Sequence, residues 1–263
     1  MSELRSFIKD SKEFEFYLDM HRCQSLKLAR EKCETYKLLK KRKMSIKQAL
    51  QMLDDFVDPS DPDLDVQNSV HAYQTAERIR RAHPENKALQ VVGLIHDVGK
   101  VLFSFGEPIW AVVGDTYVLG CAFPDSIVYS ETMRESPDYG IQDYSTPCGI
   151  YKPNCGLDAL TIAFGHDEYL YWVLKGNQNK NKHFIGDSYL NIIRYHSLYP
   201  WHTGDSYKHL MDDLGKDEET LANVRMFNAF DLYSKEDATS VSHEVKQYYD
   251  SLLDEFFTEE LDW

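Results

Sequence analysis

At 263 residues, with 43% hydrophobic, 13% aromatic and 27% charged side chains, the chain can bury a full core, and this balance excludes a disordered or low-complexity protein. A formal net charge of −14 argues weakly against nucleic acid or an anionic membrane surface as partner, because a polyanion needs a basic patch to displace its counterions. Cys23, Cys33, Cys121, Cys148 and Cys155 lack Cys-x-x-Cys spacing, which fits reduced thiols better than a disulfide frame or a zinc site.

The first ten residues, Met-Ser-Glu-Leu-Arg-Ser-Phe-Ile-Lys-Asp, have neither the apolar region of a signal peptide nor an acid-poor transit pattern. The longest apolar runs, Val91 to Ile95 and Leu157 to Phe164, are too short to cross a bilayer. A cytoplasmic monomer with no membrane or nucleic-acid partner is therefore expected. Residues 1–44 are polar and rich in Lys and Arg toward their end, with Tyr36, Leu38 and Leu39 as anchors, and read as an arm rather than core; residues 45–263 read as one domain. Ser45 and Gln48 form a capping box before Ile46, Ala49, Leu50, Leu53, Phe56 and Val57 at helical spacing, and the Asp- and Pro-dense stretch Asp58 to Asp65 ends that helix. Helical period then marks Val70 to Arg80, Leu89 to Leu102, Leu157 to Lys175, Ser188 to Tyr199 and the shorter Met226 to Tyr233. Trp110 to Cys121 alternates like a short hairpin, with Gly114-Asp115 as its turn. Loops are expected at Gly176 to Gly186 and Asp212 to Glu219. The fold class is all-α with a minor β-hairpin.

Leu89 to Leu102 is apolar nearly all round, so it must be buried on most faces, yet it holds His96 beside Asp97. A buried carboxylate without a partner forfeits several kcal/mol of solvation, and a metal ion is the partner that also uses the adjacent imidazole. Alone, the pair fits equally a satisfied core histidine beside an Asp cap. It is joined by His71 near the start of one helix and by Asp231 among Phe227, Phe230 and Tyr233. The chain order His, His-Asp, Asp is that of HD-domain metalloproteins, helical bundles whose helices push ligands into the core. His166, between Phe164 and Leu170, and His196, between Ile193 and Tyr199, supply a second metal if both face inward, with Asp97 bridging through its two oxygens. Imidazole and carboxylate ligands suit iron, manganese or zinc. His21, His83, His183, His209 and His243 lie among polar residues and are expected to be solvated.

From about Met44 to Tyr233 the sequence resembles the myo-inositol oxygenase family. The resemblance rests on Met-Leu-Asp-Asp-Phe-Val-Asp (52–58), Ser-Asp-Pro-Asp (60–63), His-Asp-Val-Gly-Lys (96–100), Gly-Glu-Pro-Ile-Trp-Ala-Val-Val-Gly-Asp-Thr (106–116), Gly-His-Asp-Glu-Tyr-Leu-Tyr (165–171), Arg-Tyr-His-Ser-Leu-Tyr-Pro-Trp-His (194–202) and Phe-Asp-Leu-Tyr-Ser-Lys (230–235). It implies that His71, His96 and Asp231 hold one iron, His166 and His196 the other, and Asp97 bridges. It further implies a mixed-valent Fe(II)/Fe(III) pair, O2 as co-substrate, and ring cleavage of myo-inositol to D-glucuronate without an external reductant. Lys100, one turn beyond His96, matches the family's substrate lysine, although the residue alone fits equally a lysine satisfying the last carbonyls of its helix. Asp58, Ser60, Gly114, Asp115, His196 and Ser197 match substrate contacts. The arm departs from the family: it has no clear match to a Phe-Arg-Asn-Tyr segment, and Pro59 replaces an acidic residue. An HD-type metal-dependent phosphohydrolase and an oxygenase of a related polyol are the alternatives; the first would need several Lys or Arg at the metals, where the sequence offers Lys100 and Arg194.

Overall fold

The structure is a computed structural model and describes residues 11–56, 58, 68–232 and 240–263; Ser60, Pro59, Val57 and Tyr233, named above, lie outside the described residues. It is mainly helical, with two small antiparallel strand pairs. Two helices open it, α1 (Lys12–Cys23) and α2 (Leu26–Tyr36), each started by a serine whose hydroxyl accepts a hydrogen bond from the main chain three residues on. Next come β1 (Lys43–Met44) and α3 (Ile46–Met52), where the expected capping box forms: Gln48 N–H donates to Ser45 Oγ at 3.2 Å and Ser45 N–H to Gln48 Oε1 at 2.8 Å.

The stretch read as an arm outside the core is part of it. Tyr17, Met20, Ala29 and Tyr36 are buried in the same apolar cluster as Val91, Leu94 and Leu170. Phe16, Tyr17 and Met20, then Leu26, Ala29, Cys33 and Tyr36, do recur at helical spacing, but charged residues between them dilute the signal. Gln24, fully buried between α1 and α2, fastens the pair: its amide donates to Phe164 O at 2.7 Å and its oxygen accepts from Phe164 N at 3.1 Å. His21 and His183, expected in solvent, are likewise buried, His21 with Nδ1 2.5 Å from Thr132 Oγ1 and His183 with Nε2 donating to Leu174 O at 2.7 Å. Burial pushes the His21 pKa down to about 3, so the ring is neutral. His83, His209 and His243 are exposed, as expected.

The central pair is α4 (Asn68–Ala82) and α5 (Lys87–Ile95), the latter capped by Asn86, whose Oδ1 accepts from Leu89 N at 3.0 Å. They approach closely because Gly93 has no side chain: a Cβ there would lie 2.7 Å from Ile79 Cδ1 and 3.1 Å from Ala76 Cα. The predicted helix to Leu102 is broken, since α5 ends at Ile95 and a 3-10 run, Val98–Phe105, follows it. By length and composition Lys87–Phe105 could cross a membrane, but 78% of its most apolar window is packed inside the fold, where a core segment must be apolar.

The β element expected at Trp110 to Cys121 exists as β2 (Val118–Leu119), but it pairs with β3 (Thr161–Ile162) rather than folding on itself, Val118 opposite Ile162. Correspondingly, the predicted helix from Leu157 starts only at His166, as α6 (His166–Gln178). The Ser188 to Tyr199 reading splits into α7 (Asp187–Tyr195) and α8 (Tyr199–His202), with Pro200 in the first turn of α8. Asp231 is carried by α9 (Lys216–Leu232), longer than read because its first turns are polar and acidic. After α10 (His243–Phe256), β4 (Leu261–Asp262) pairs with β1, and the Trp263 indole donates to Met44 O at 3.0 Å.

Gly99 sets the distance between the 3-10 run and α6, since a Cβ there would fall into the His166 carbonyl, 2.7 Å from its carbon. Gly106 ends the same run at φ +84 with open space around it. Gly99→Ala is expected to cost about 3 kcal/mol in urea unfolding because backbone must yield, and Gly106→Ala about 1 kcal/mol for its left-handed conformation alone. Equal losses would contradict this packing.

Candidate metal centre

The six predicted ligands converge from five elements, and His96, His166 and His196 sit at helix ends. His96 and His196 are the residues at which α5 and α7 stop, and each uses Nδ1 to satisfy a carbonyl the finished helix leaves open: Gly93 O at 2.8 Å and Ile193 O at 2.7 Å. His166 opens α6, and both its main-chain N–H and its Nδ1 meet Val112 O, at 2.9 and 2.8 Å. A carbonyl only accepts, so all three rings carry hydrogen on Nδ1 and turn Nε2 inward.

His71, from the first turns of α4, and His96 place Nε2 at 2.9 and 3.1 Å from Asp231 Oδ1. On the other side His166 and His196 place Nε2 at 3.1 and 3.6 Å from Asp97 Oδ1, and 3.2 Å from each other. Two imidazole nitrogens 3.2 Å apart are spaced to share one cation. Ligands about 2.1 Å from one ion stand roughly 3 to 3.5 Å apart, which is the spacing found here. His71, His96 and Asp97, and again Asp97, His166 and His196, offer donors all within 4.8 Å of one another. The residues therefore fit a metal, and hard N/O donors suit iron, manganese or zinc.

The carboxylates are held ready for a cation. Burial would raise the Asp97 pKa, but the charge of Lys100 and the neighbouring His96 hold it well below the usual carboxylate range. Burial likewise opposes ionisation of Asp231, and His96 and His71 outweigh it. His71 is lowered by burial yet ends above its ordinary value through the hydrogen bond and charge of Asp231.

Lys100 does not cap a helix. Its buried ammonium donates to Asp97 Oδ2 at 2.9 Å, stands 2.9 Å from Asp58 Oδ2, and reaches Asn68 Oδ1 at 3.3 Å. Asp58, Lys100 and Asp97 thus line one corner. Gly114 and Asp115, expected as the turn of a hairpin, lie instead in a bend with Gly114 at φ +103, and Thr116 N–H donates to Ser197 O at 2.8 Å, which ties that bend to the residue after His196. Ser60 lies outside the described residues.

Several participants escaped the sequence reading. Tyr17 of α1 donates to Asp115 Oδ1 at 3.2 Å and accepts from Asp115 N. Asn68 donates to Phe56 O at 2.7 Å while accepting from Lys100, so it holds the lysine to the chain before Asp58. His202 donates to His196 O. Tyr17 and Asp115 join segments 98 residues apart, and Asn68 reaches Lys100 across 32 residues. Arg194, weighed above as an anion ligand, is committed elsewhere: Nε and Nη2 pair with Glu168 at 2.7 and 3.1 Å.

Known proteins resemble the chain over nearly its whole length. A family described as myo-inositol oxygenase matches residues 10–263. Inositol oxygenase of Danio rerio is 45% identical over 251 residues, covering 95% of this chain and 88% of that protein. Inositol oxygenase 1 of Arabidopsis thaliana is 44% identical over 252 residues, 95% and 79% of the two chains, and inositol oxygenase of Homo sapiens 43% identical over 251 residues, 95% and 86%.

Because Lys100 lies between two buried carboxylates, its loss should be felt by the fold. Lys100→Met is expected to destabilise the metal-free protein by about 3 kcal/mol in urea at pH 7, since two acids are left facing each other. A loss below about 1 kcal/mol, the scale of a helix-end lysine, would contradict the bridge.

Proposed function

The chain belongs to the myo-inositol oxygenase family, and on that premise we propose that it cleaves the ring of myo-inositol with O2 to give D-glucuronate at two iron ions. Membership makes it an inositol oxygenase; the ions, the product and the residue roles are the proposal. In it His71, His96 and Asp231 hold one iron, His166 and His196 the other, and Asp97 bridges, an HD-type order of ligands. The observation that carries this is the division of Asp97: Oδ1 faces His166 and His196 at 3.1 and 3.6 Å, while Oδ2 faces His96 at 3.6 Å and Lys100 at 2.9 Å.

When bound, a mixed-valent Fe(II)/Fe(III) pair supplies Lewis acidity and the electrons that activate O2. The chain's own residues supply the rest. Lys100, pinned by Asp58 and Asp97, offers an ammonium hydrogen to one inositol oxygen and holds a proton at Nζ, its pKa raised by those two carboxylates against the pull of burial. Asp115, oriented by Tyr17, accepts from a second hydroxyl, and Ser197 offers a donor beside His196. A ring of neutral hydroxyls is oriented by such a mixed set of donors and acceptors. One O2 and one inositol balance to one glucuronate, one water and one proton, so no reductant enters.

A phosphohydrolase would need several free cations at the metals, whereas the Arg194 guanidinium is already paired with Glu168 and Asp158. Protein expressed with iron should carry about two iron ions per chain, and inositol consumption should track O2 uptake one to one without NADH or ascorbate. One zinc and no iron, phosphate release without O2 uptake, or faster consumption of another cyclic polyol would each overturn the assignment.

A further inference from the structure

His202 is neither a metal ligand nor a substrate contact in the reading above, yet it is almost wholly buried and hydrogen-bonded on both ring nitrogens. Its Nε2 stands 2.9 Å from His196 O. That oxygen is a carbonyl, so Nε2 carries the hydrogen and donates, and Nδ1 is left as an acceptor. Thr203 Oγ1 meets that acceptor at 3.0 Å, Asn228 Nδ2 lies against the ring at 3.3 Å from Nδ1 and 3.4 Å from Nε2, and Asn228 Oδ1 in turn takes the Tyr199 hydroxyl at 3.4 Å. Arg225, also on α9, donates from Nε to His202 O at 2.6 Å and from Nη2 to Asp205 at 2.6 Å, which fixes the main chain at the same point.

Two consequences follow from where these groups sit. His196 is where α7 ends, so its carbonyl has no helical donor; His202 provides one, while Ile193 O holds the imidazole at Nδ1. The ring of His196 is thus set from both ends. Asn228 precedes Asp231 by three residues on α9, which puts the two on neighbouring positions of one helix face. The His202 ring therefore links the segment that carries His196 with the helix that carries Asp231, the two being assigned to different ions.

Resting on the two-ion reading above, we propose that His202 is a positioning residue for the His166–His196 half of the centre, setting the His196 imidazole relative to the helix of Asp231. Partners of this kind, one bond removed from a metal ligand, commonly change affinity by about tenfold to a hundredfold when lost. The change should fall on one ion and not on both. The side chain that repairs the loss is specified by geometry: the amide nitrogen of glutamine occupies the place of Nε2, whereas that of asparagine occupies the place of Nδ1.

The test is a cobalt(II) titration of the metal-free full chain, followed by visible absorption, on wild type, His202→Gln, His202→Asn, Asn228→Leu and His196→Ala, with melting temperatures of the metal-free proteins. Wild type is expected to take two ions. His202→Asn should keep one and bind the other about tenfold or more weakly, and its one-ion spectrum should match that of singly loaded His196→Ala. His202→Gln should bind both as wild type does. Asn228→Leu, which releases the ring without touching it, should weaken the same ion to a lesser degree. Wild-type binding of both ions by His202→Asn, or equal weakening of both ions in His202→Gln and His202→Asn with early melting, would overturn the proposal. A wild type that takes fewer than two ions would overturn the two-ion reading, and the proposal with it.

Discussion

The Asp97 carboxylate is the constraint around which the rest is arranged. It is buried, it stays ionised, and four side chains from three directions come within 3.6 Å of its two oxygens. A lone carboxylate in an apolar interior would cost several kcal/mol, so the fold must deliver cations and donors to it. Delivery explains otherwise odd choices in the chain. Ending α5 at Ile95 frees the main chain to turn His96 and Asp97 toward different neighbours, the 3-10 run sends Lys100 back to Asp97, and Gly99 lets that run lie against the His166 carbonyl. Gly93 lets α4 come close enough for His71 to share Asp231 with His96.

Helix ends are the means by which imidazoles are aimed. A ligand in mid-helix would keep its own main-chain bonds and leave the ring to find a second anchor among side chains. At a terminus the open carbonyl supplies that anchor at no further cost, because the same hydrogen bond that satisfies the helix fixes the tautomer. His96 and His196 repeat this device with their carbonyls three residues back, and His166 reaches the same result through Val112 O from outside its helix. The inward nitrogens that result are crowded together, and a cation bound among them would couple its affinity to the stability of the fold.

Sequence was most informative where composition and chemistry disagree. Acids and imidazoles inside apolar helical runs stand out at His96-Asp97, His166, His196 and Asp231, and the structure brings all of them together with His71. The capping box at Ser45 was legible because its two partners are three residues apart. Helix ends were not: the apolar run through Leu102 masks the break at His96, since a 3-10 segment buried on all sides has the same composition as the α-helix before it. Long-range partners were invisible for a different reason. Tyr17 and Asp115 are 98 residues apart, and neither neighbourhood hints at the other.

Residues 11–44 show what such blindness conceals. Read as a polar arm, they instead supply one wall of the site's surroundings: Phe16 and Met20 press on Gly114, where a Cβ would come within 2.9 Å of each, and Tyr17 holds the carboxylate of the next residue. Gly114 must be glycine twice over, for its φ of +103 and for that contact. The bend then passes its position to Ser197 through Thr116 N–H, so α1 and the end of α7 are joined by three consecutive residues. Any shift of α1 would move Asp115 and Ser197 together, so a helix within the stretch read as an arm sets the spacing of two candidate hydroxyl contacts.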